Sequence, residues 1–463
     1  MKPVYNFLFI TNNYISYVLI ALLIFAGIYF SIRTKFVQFR LVPDAIKSLT
    51  ESSNGEKVSS FQALMISTAC RVGTGNIAGV AIAIVLGGPG AVFWMWIMAL
   101  LGAASAFVES TLAQVYKVKN GNSFRGGPSY YMQKALGKRW LGMLFAVIFT
   151  ICFAYAFNAL QSFTISSSLE YYINNYSNSI YPFIVGVILA ILAALVIFGG
   201  VHRIGFVTSY IVPLMSLSYI ALGLCIIILN FKSIPQMFFE IFKDAFDFKS
   251  IFSGFLGSSL MFGIKKGLYS NEAGMGSAPN AAATADCTHP VKQGMVQVIS
   301  VFIDTILICS NTAFIVLLSG VRRDGSLLGI PFVQAAVSSQ IGEIGIHFIT
   351  FSIFAFAFSS IIGNCCYAES TLLFIKNNKT FLNVFRFTCL IAVFLGVLAE
   401  VHIVWGVAEI LMGLMAILNI ITILLVGNIS FKTLKDYILQ KKDGKDPEFN
   451  AQNAGIYNTD AWK

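Results

Sequence analysis

Between Ala69 and Ala81 a run otherwise apolar enough to cross a bilayer is interrupted by the string ACRVGTGNIAGVA. Gly73, Gly75 and Gly79 surround Arg71, Thr74 and Asn76. Glycine loosens a helix, and an arginine at membrane depth costs about 2.5 to 3.5 kcal/mol even on the lenient insertion scale, so the segment must face protein or a wet cavity. A helix broken there exposes free backbone groups to a small polar ligand. A second Gly-rich interruption, GIKKGLYSNEAGMGSAPN, occupies residues 263–280.

The rest of the chain supplies a membrane setting for both interruptions. Its 463 residues are 57% hydrophobic and only 11% charged, which excludes a soluble globular domain. Apolar windows of roughly 20 residues predict spans near 14–32, 58–86, 91–116, 140–160, 180–200, 204–230, 251–285, 293–319, 346–370, 383–400 and 404–427. The first window lacks a small-residue cleavage site and is followed by Arg33, Lys35 and Arg40, so it reads as an uncleaved span with its N-terminus outside. That orientation puts 22 of the 31 Lys and Arg in cytoplasmic segments, six outside, and Arg71, Lys265 and Lys266 within the membrane. The asymmetry is the positive-inside pattern, and it places the C-terminal tail in the cytoplasm. Because the net charge of +10 is spread over short loops, it reports topology and gives no basic face for nucleic acid.

Eleven spans divide into one leading span and two sets of five, and five spans each force opposite orientations. The predicted organisation is a leading span and loop over 1–57, a first repeat over 58–230, a second, inverted repeat over 231–427 and a tail over 428–463. Both Gly-rich breaks then fall on the first span of a repeat, spans 2 and 7, which is the pointer to the midplane site of an inverted-repeat secondary transporter. The connection 322–345 contains PFVQAAV and is predicted to pack as a short surface helix. The tail after Lys441 reads as disordered from its Lys, Asp, Gly, Pro and Asn content.

Several strings are more specific than this pattern. GGPGAVFWMWIMALLG at 87–102 makes structural sense as a tight turn with Trp94 and Trp96 at the interface belt. Together with RVGTGNIAGVA, FRGGPSYYMQKALG, GLYSNEAGMGSAPNAAATA and WGVAEILMGLMAILNI, it resembles the alanine or glycine:cation symporter family over most of the chain. The resemblance implies an all-α, LeuT-type membrane fold and cotransport of a small neutral amino acid with sodium. It also implies a sodium site formed by the carbonyls of Ala69 and Val72 on span 2 and by Phe356, Ser359 and Ser360 on span 9. Hard cations favour such oxygen ligands. Four residues after Ser360 the family usually has a tryptophan that closes the substrate pocket, whereas this chain has Asn364. A short amide there enlarges the pocket and adds a polar partner, admitting glutamine beside alanine and glycine.

The substrate side is expected at the unwound Gly73, Thr74, Gly75 and Asn76, whose amides suit a carboxylate as positive half-helix ends do. Gln161, three residues after Asn158 on one helical face, is a candidate for the substrate ammonium or side chain. Gly263, read as the start of the second break, and Asn271 complete the substrate set. Lys265 and Lys266 are expected at that break, in structural or gating ion pairs with carboxylates drawn from Glu109, Glu272, Asp304 and Glu409. The eight cysteines lack paired CxxC motifs and read as reduced thiols in apolar surroundings.

His202, His289, His347 and His402 fall at predicted span ends or loops, away from mid-membrane, which favours sodium over proton coupling. No phosphate loop, HExxH, GxSxG or other catalytic set is present, so an enzyme has no support. The expected protein is an inner-membrane symporter that moves a small neutral amino acid with a co-transported sodium ion. Its surroundings are the lipid bilayer, with no nucleic acid and no obligate protein partner. Proton-coupled symport on the same fold is the nearest rival, and a passive channel or facilitator a more distant one.

Overall fold

Apolar surroundings offer the backbone no partner but itself, so the predicted spans fold as helices. The computed structural model describes residues 2–51, 57–121, 123–247 and 258–462, with the side chains of 2–5, 120 and 200–207 outside the description. Helix α1 covers Lys2–Arg33; the broken second span is α2, Ser60–Arg71, a π-helical turn Gly75–Gly79 and α3, Val80–Gly87. α4 is Ala91–Val115, and the fourth span joins α5, Arg139–Thr150, through the π-helical Ile151–Phe157 to α6, Asn158–Ser167. α7, Tyr181–Ile197, and α8, Gly200–Leu229, complete the first predicted set of five.

The second set begins with α9, Ser259–Asn271, and α10, Ala278–Thr284; the first seven residues of the 251–285 window lie outside the described residues. It continues with α11, Pro290–Phe302, and α12, Ser310–Leu318, then α13, Ile330–Ile341, a helix where the 322–345 connection predicted one. α14, Glu343–Ile375, α15, Lys379–Val397, and α16, Val401–Val426, follow, and α17, Asn428–Lys442, leads into the tail. Among the described residues eight helical stretches are long and apolar enough to cross a membrane, and the pair Ser60–Arg71 and Gly75–Gly87, bent by 53°, adds a broken crossing.

Two packing centres position the site. α4 lies against α9, α10 and α11, while α14 lies against α2, α5 and α6. The first break therefore meets the middle of α14 on one side and α6 on the other.

Each break has a local cause. α2 starts on a capping box between Ser59 and Gln62 and ends where Val72 turns extended, at φ −75° and ψ 93°. α9 ends because Glu272 enters the left-handed region at φ +53°, followed by Gly274 at +81° and Gly276 at +87°. The second break is thus 272–277, and residues 263–271, predicted to belong to it, are helical. The run of Gly and Lys before Tyr269 does not break the helix because its glycines serve close packing: a Cβ at Gly263 would stand 2.5 Å from the Ala91 carbonyl oxygen.

The tail departs from its predicted disorder. Phe449, Ala451 and Ile456 are buried, the Phe449 N–H donates to the Thr288 carbonyl at 2.9 Å, and the Trp462 indole N–H donates to the Gln114 carbonyl at 2.7 Å. A few apolar residues spaced among polar ones suffice to dock it, which an average over composition hides. His289 caps α11 and pairs with Asp436, His347 and His402 lie in the first turns of α14 and α16, and the side chain of His202 is outside the described residues. None of the eight cysteines is in a disulfide.

Candidate functional site

The carbonyls freed at the first break point at α14. Ser360 Oγ lies 3.1 Å from the Ala69 carbonyl oxygen, 3.2 Å from that of Val72 and 3.0 Å from that of Phe356. A hydroxyl has one hydrogen, so three carbonyl dipoles converge where one proton is available. Ser359 Oγ, also fully buried, donates to the same Phe356 carbonyl at 2.9 Å. The result is a buried, uncharged cluster of oxygens, the donor chemistry of a hard monovalent cation. It brings Ala69, Val72, Phe356, Ser359 and Ser360 together as predicted.

The freed amides point the other way. The Gly73 N–H donates to Asn76 Oδ1 at 3.0 Å and the Thr74 N–H to Gln161 Oε1 at 3.1 Å; the Thr74 hydroxyl also donates to Gln161 Oε1. An uncharged amide oxygen of α6 thus sits where two donors of the break converge. Gly73 separates this end from the carbonyl end, and a Cβ there would come within 2.4 Å of Ser360 Oγ and 2.8 Å of Gln161 Nε2. A Cβ on Gly75 would come within 2.7 Å of the Tyr269 ring.

Asn76 differs from its expected role. Its Nδ2 donates to Asp304 Oδ1 at 2.6 Å, its N–H donates to the Gly73 carbonyl, and its own carbonyl accepts from Thr312 at 2.7 Å. It is a strut tying the break to α12 and the turn before it. Asp304 also accepts from Ser270 at 2.7 Å and Thr305 at 3.1 Å.

Asn364 lies one turn beyond Ser360. Its Nδ2 donates to Asn158 Oδ1 at 3.1 Å, while its own Oδ1 is buried with no hydrogen-bond partner among the described residues. A row of aromatic rings, absent from the predicted set, covers the break: Phe157 meets Tyr269 edge-on at 5.1 Å, and Tyr269 and Trp405 lie tilted to each other at 5.2 Å. Inside spans these aromatics read only as hydrophobicity; the one signal was Tyr269 standing within the second Gly-rich string.

The second break is filled from within. Glu109 on α4 accepts from the Gly274 N–H at 3.1 Å, the Gly276 N–H at 3.0 Å and Asn419 Nδ2 at 2.8 Å. The substrate role expected of Gly263 fails on position, since it lies in α9 against Ala91 and Trp94, well before the break. Asn271 does reach the break, where its Oδ1 accepts from the Ala273 N–H at 3.0 Å and its Nδ2 is buried without a partner among the described residues. Lys265 and Lys266 are also helical and not at the break; both meet Glu409, at 2.8 and 2.6 Å. Arg71 joins no ion pair among the described residues, and its three guanidinium nitrogens are buried without hydrogen-bond partners.

Comparison with known proteins bears on this geometry. The model of the "Sodium:alanine symporter family" matches residues 1–451. The chain is 47% identical over 455 residues to the "Amino-acid carrier protein AlsT" of Bacillus subtilis (strain 168), covering 97% of this chain and 95% of that one. It is 47% identical over 437 residues to the "Probable sodium/glutamine symporter GlnT" of the same organism, at 94% and 90% coverage. Identity to the "Sodium/alanine symporter AgcS" of Methanococcus maripaludis is 35% over 458 residues, 95% of this chain and all of that one. Among solved structures, the transporter MhsT in complex with L-phenylalanine superposes with a TM-score of 0.50 over 88% of this chain and 94% of its own, at 13% identity, a likeness of fold. The predicted all-α, LeuT-type architecture is therefore the one observed. With the family model spanning nearly the whole chain and relatives matched end to end, this multi-pass membrane protein belongs to the sodium:alanine symporter family.

Proposed function

We propose that the protein carries a small neutral amino acid into the cell together with sodium, by alternating exposure of the first break to the two sides of the membrane. One observation carries this reading: across Ala69–Thr74 the first break turns its carbonyls to an uncharged oxygen cluster, while its Thr74 amide is held by one displaceable amide oxygen, that of Gln161. A cation at Ser360 and a carboxylate at Thr74 would stabilise one backbone arrangement, so each raises the affinity of the other. A substrate carboxylate would displace Gln161 Oε1, because hydrogen bonds to a charged acceptor are roughly twice as strong as neutral ones. Gln161 is then free to turn to the ammonium or side chain.

The pocket wall at Asn364 supports acceptance of glutamine beside alanine and glycine, since its unpartnered Oδ1 can receive a side-chain amide. Relatives at comparable identity are named for glutamine and for alanine, in keeping with a pocket of that range. The predicted placement in the inner membrane, N-terminus outside and tail in the cytoplasm, and the division into inverted repeats over 58–230 and 231–427, belong to the same reading.

Uptake of labelled alanine, glycine and glutamine into proteoliposomes tests it, first with an inward sodium gradient and then with a proton gradient alone. Sodium-driven accumulation above equilibrium is expected. Accumulation driven by protons without sodium would remove the ion from Ser359 and Ser360, and equilibration without accumulation would make the protein a facilitator.

A further inference from the structure

A cavity of about 300 Å³ opens between the first break and the ends of three connections that the sequence predicts on the outer face. Ala78, Phe163 and Leu328 line its wall, Glu170 lies on its exposed side, and Lys266, Glu409 and Trp405 form its charged and aromatic part. His402 is the other titratable group that lines it. The Trp405 ring lies tilted against Tyr269, and Tyr269 covers Gly75, so an aromatic pair separates this cavity from the amides of the break.

The ion cluster beside it does not balance. Glu409 Oε1 meets Lys266 Nζ at 2.6 Å, while its Oε2 meets Lys265 Nζ at 2.8 Å and Asn12 Nδ2 at 2.5 Å. Two ammonium groups share one carboxylate and leave one positive charge over, in a setting where an uncompensated charge is expensive. Lys266 has three N–H donors: one goes to Glu409, and the Trp405 face, 3.6 Å from Nζ, covers another side. What remains can be turned to a ligand in the cavity that Lys266 lines.

We infer that this cavity is a separate, first binding site for the amino-acid zwitterion, with Lys266 taking the carboxylate and Glu170 facing the ammonium. The inference rests on the transport reading above and deepens it: the carboxylate meets two sites in series, Lys266 and then the break, with Trp405 and Tyr269 between them. The excess charge draws in carboxylates, and the acidic side of the cavity selects those that also carry an ammonium.

The test uses the full-length protein in proteoliposomes, with Cys225 replaced by serine and the cavity wall marked by Leu328→Cys. Propionate, a carboxylate without an ammonium, is expected to slow modification of that cysteine by a membrane-impermeant methanethiosulfonate by about threefold or more. Lys266→Met should abolish the protection and Lys266→Arg should keep it. In uptake, Lys266→Met should raise the KM for alanine about tenfold and leave the sodium dependence as it was. Lys265→Met, which leaves Lys266 and Glu409 as a balanced pair, should weaken protection in the same direction, and it decides the matter if Lys266→Met is not recovered folded. No protection in the parent protein, or equal protection in the parent and the lysine variants, overturns the site. Labelling does not depend on transport, so its outcome stands apart from a failure of sodium-driven uptake, which would overturn the transport reading instead.

Discussion

At the first break the amides of Gly73 and Thr74 are held by the uncharged side-chain oxygens of Asn76 and Gln161; at the second, those of Gly274 and Gly276 are held by the carboxylate of Glu109. Both helices unwind, and both free the same backbone groups. The difference lies in what fills them. A carboxylate from within the protein satisfies the second break with charge-assisted bonds that a substrate gains nothing by replacing. The first break keeps a neutral placeholder and, on its other side, three carbonyls that exceed the two serine hydroxyl hydrogens among them. On the proposed reading, an unwound helix in a membrane binds a ligand only where its own protein leaves the amides weakly claimed.

The largest expected effect comes from taking the carboxylate out of the second break. Glu109→Ala leaves two amides and the Asn419 side chain without their acceptor, and three buried donors at about 1 kcal/mol or more each predict a loss near 3 kcal/mol. Thermal unfolding in detergent measures it, and neither sodium nor alanine should restore the loss; an unchanged transition would mean that Glu109 does not hold the break.

Steric tests come next. Gly75→Ala forces a methyl group 2.7 Å from the Tyr269 ring, an overpacking of about 1 to 3 kcal/mol that should reduce alanine uptake about tenfold or more. Gly274→Ala meets no atom closer than 3.6 Å and carries only the strain of φ +81°, about 1 kcal/mol. It should lower stability while keeping the KM for alanine. If the two alanines exchanged these effects, the assignment of substrate to the first break would be reversed.

The ion end separates its two serines. Ser360→Ala removes the hydroxyl shared by three carbonyls, and the sodium concentration for half-maximal uptake should rise about tenfold, equivalent to about 1.4 kcal/mol. Ser359→Ala, whose hydroxyl reaches only the Phe356 carbonyl, should shift it less. Wild-type sodium activation in both variants would remove the ion from this place. The smallest change is expected at Asn364→Ala, a shift of about threefold in the ratio of glutamine to alanine uptake, read by competition.

Much of this arrangement was legible in the chain. Apolar windows, the positive-inside count and the two Gly-rich strings led to an all-helical membrane protein with two interrupted spans, and the residues of the ion end came from the family resemblance and meet as expected. The first break was legible at Gly73, Thr74 and Gly75, and its meeting with Gln161 was anticipated; the second was misplaced at Gly263, because glycines that allow close helix packing look the same in a sequence as glycines that end a helix. Lys265 and Lys266 were recognisable as needing a carboxylate; that both would share Glu409 was not.

Sequence alone determined what acts locally: which stretches are apolar enough to be helical in a bilayer, where glycine and Arg71 make a continuous lipid-facing helix untenable, and which side chains could offer oxygen to a cation. Tertiary structure decided which acceptor reaches which broken backbone. Gln161 is 87 residues from Thr74, and Glu109 is 165 residues from Gly274. Composition and periodicity hold no record of such separations. A hydrogen bond depends on position to within an ångström, and only the packing of α4 against the second break and of α6 and α14 against the first brings a charged oxygen to one and an uncharged oxygen to the other.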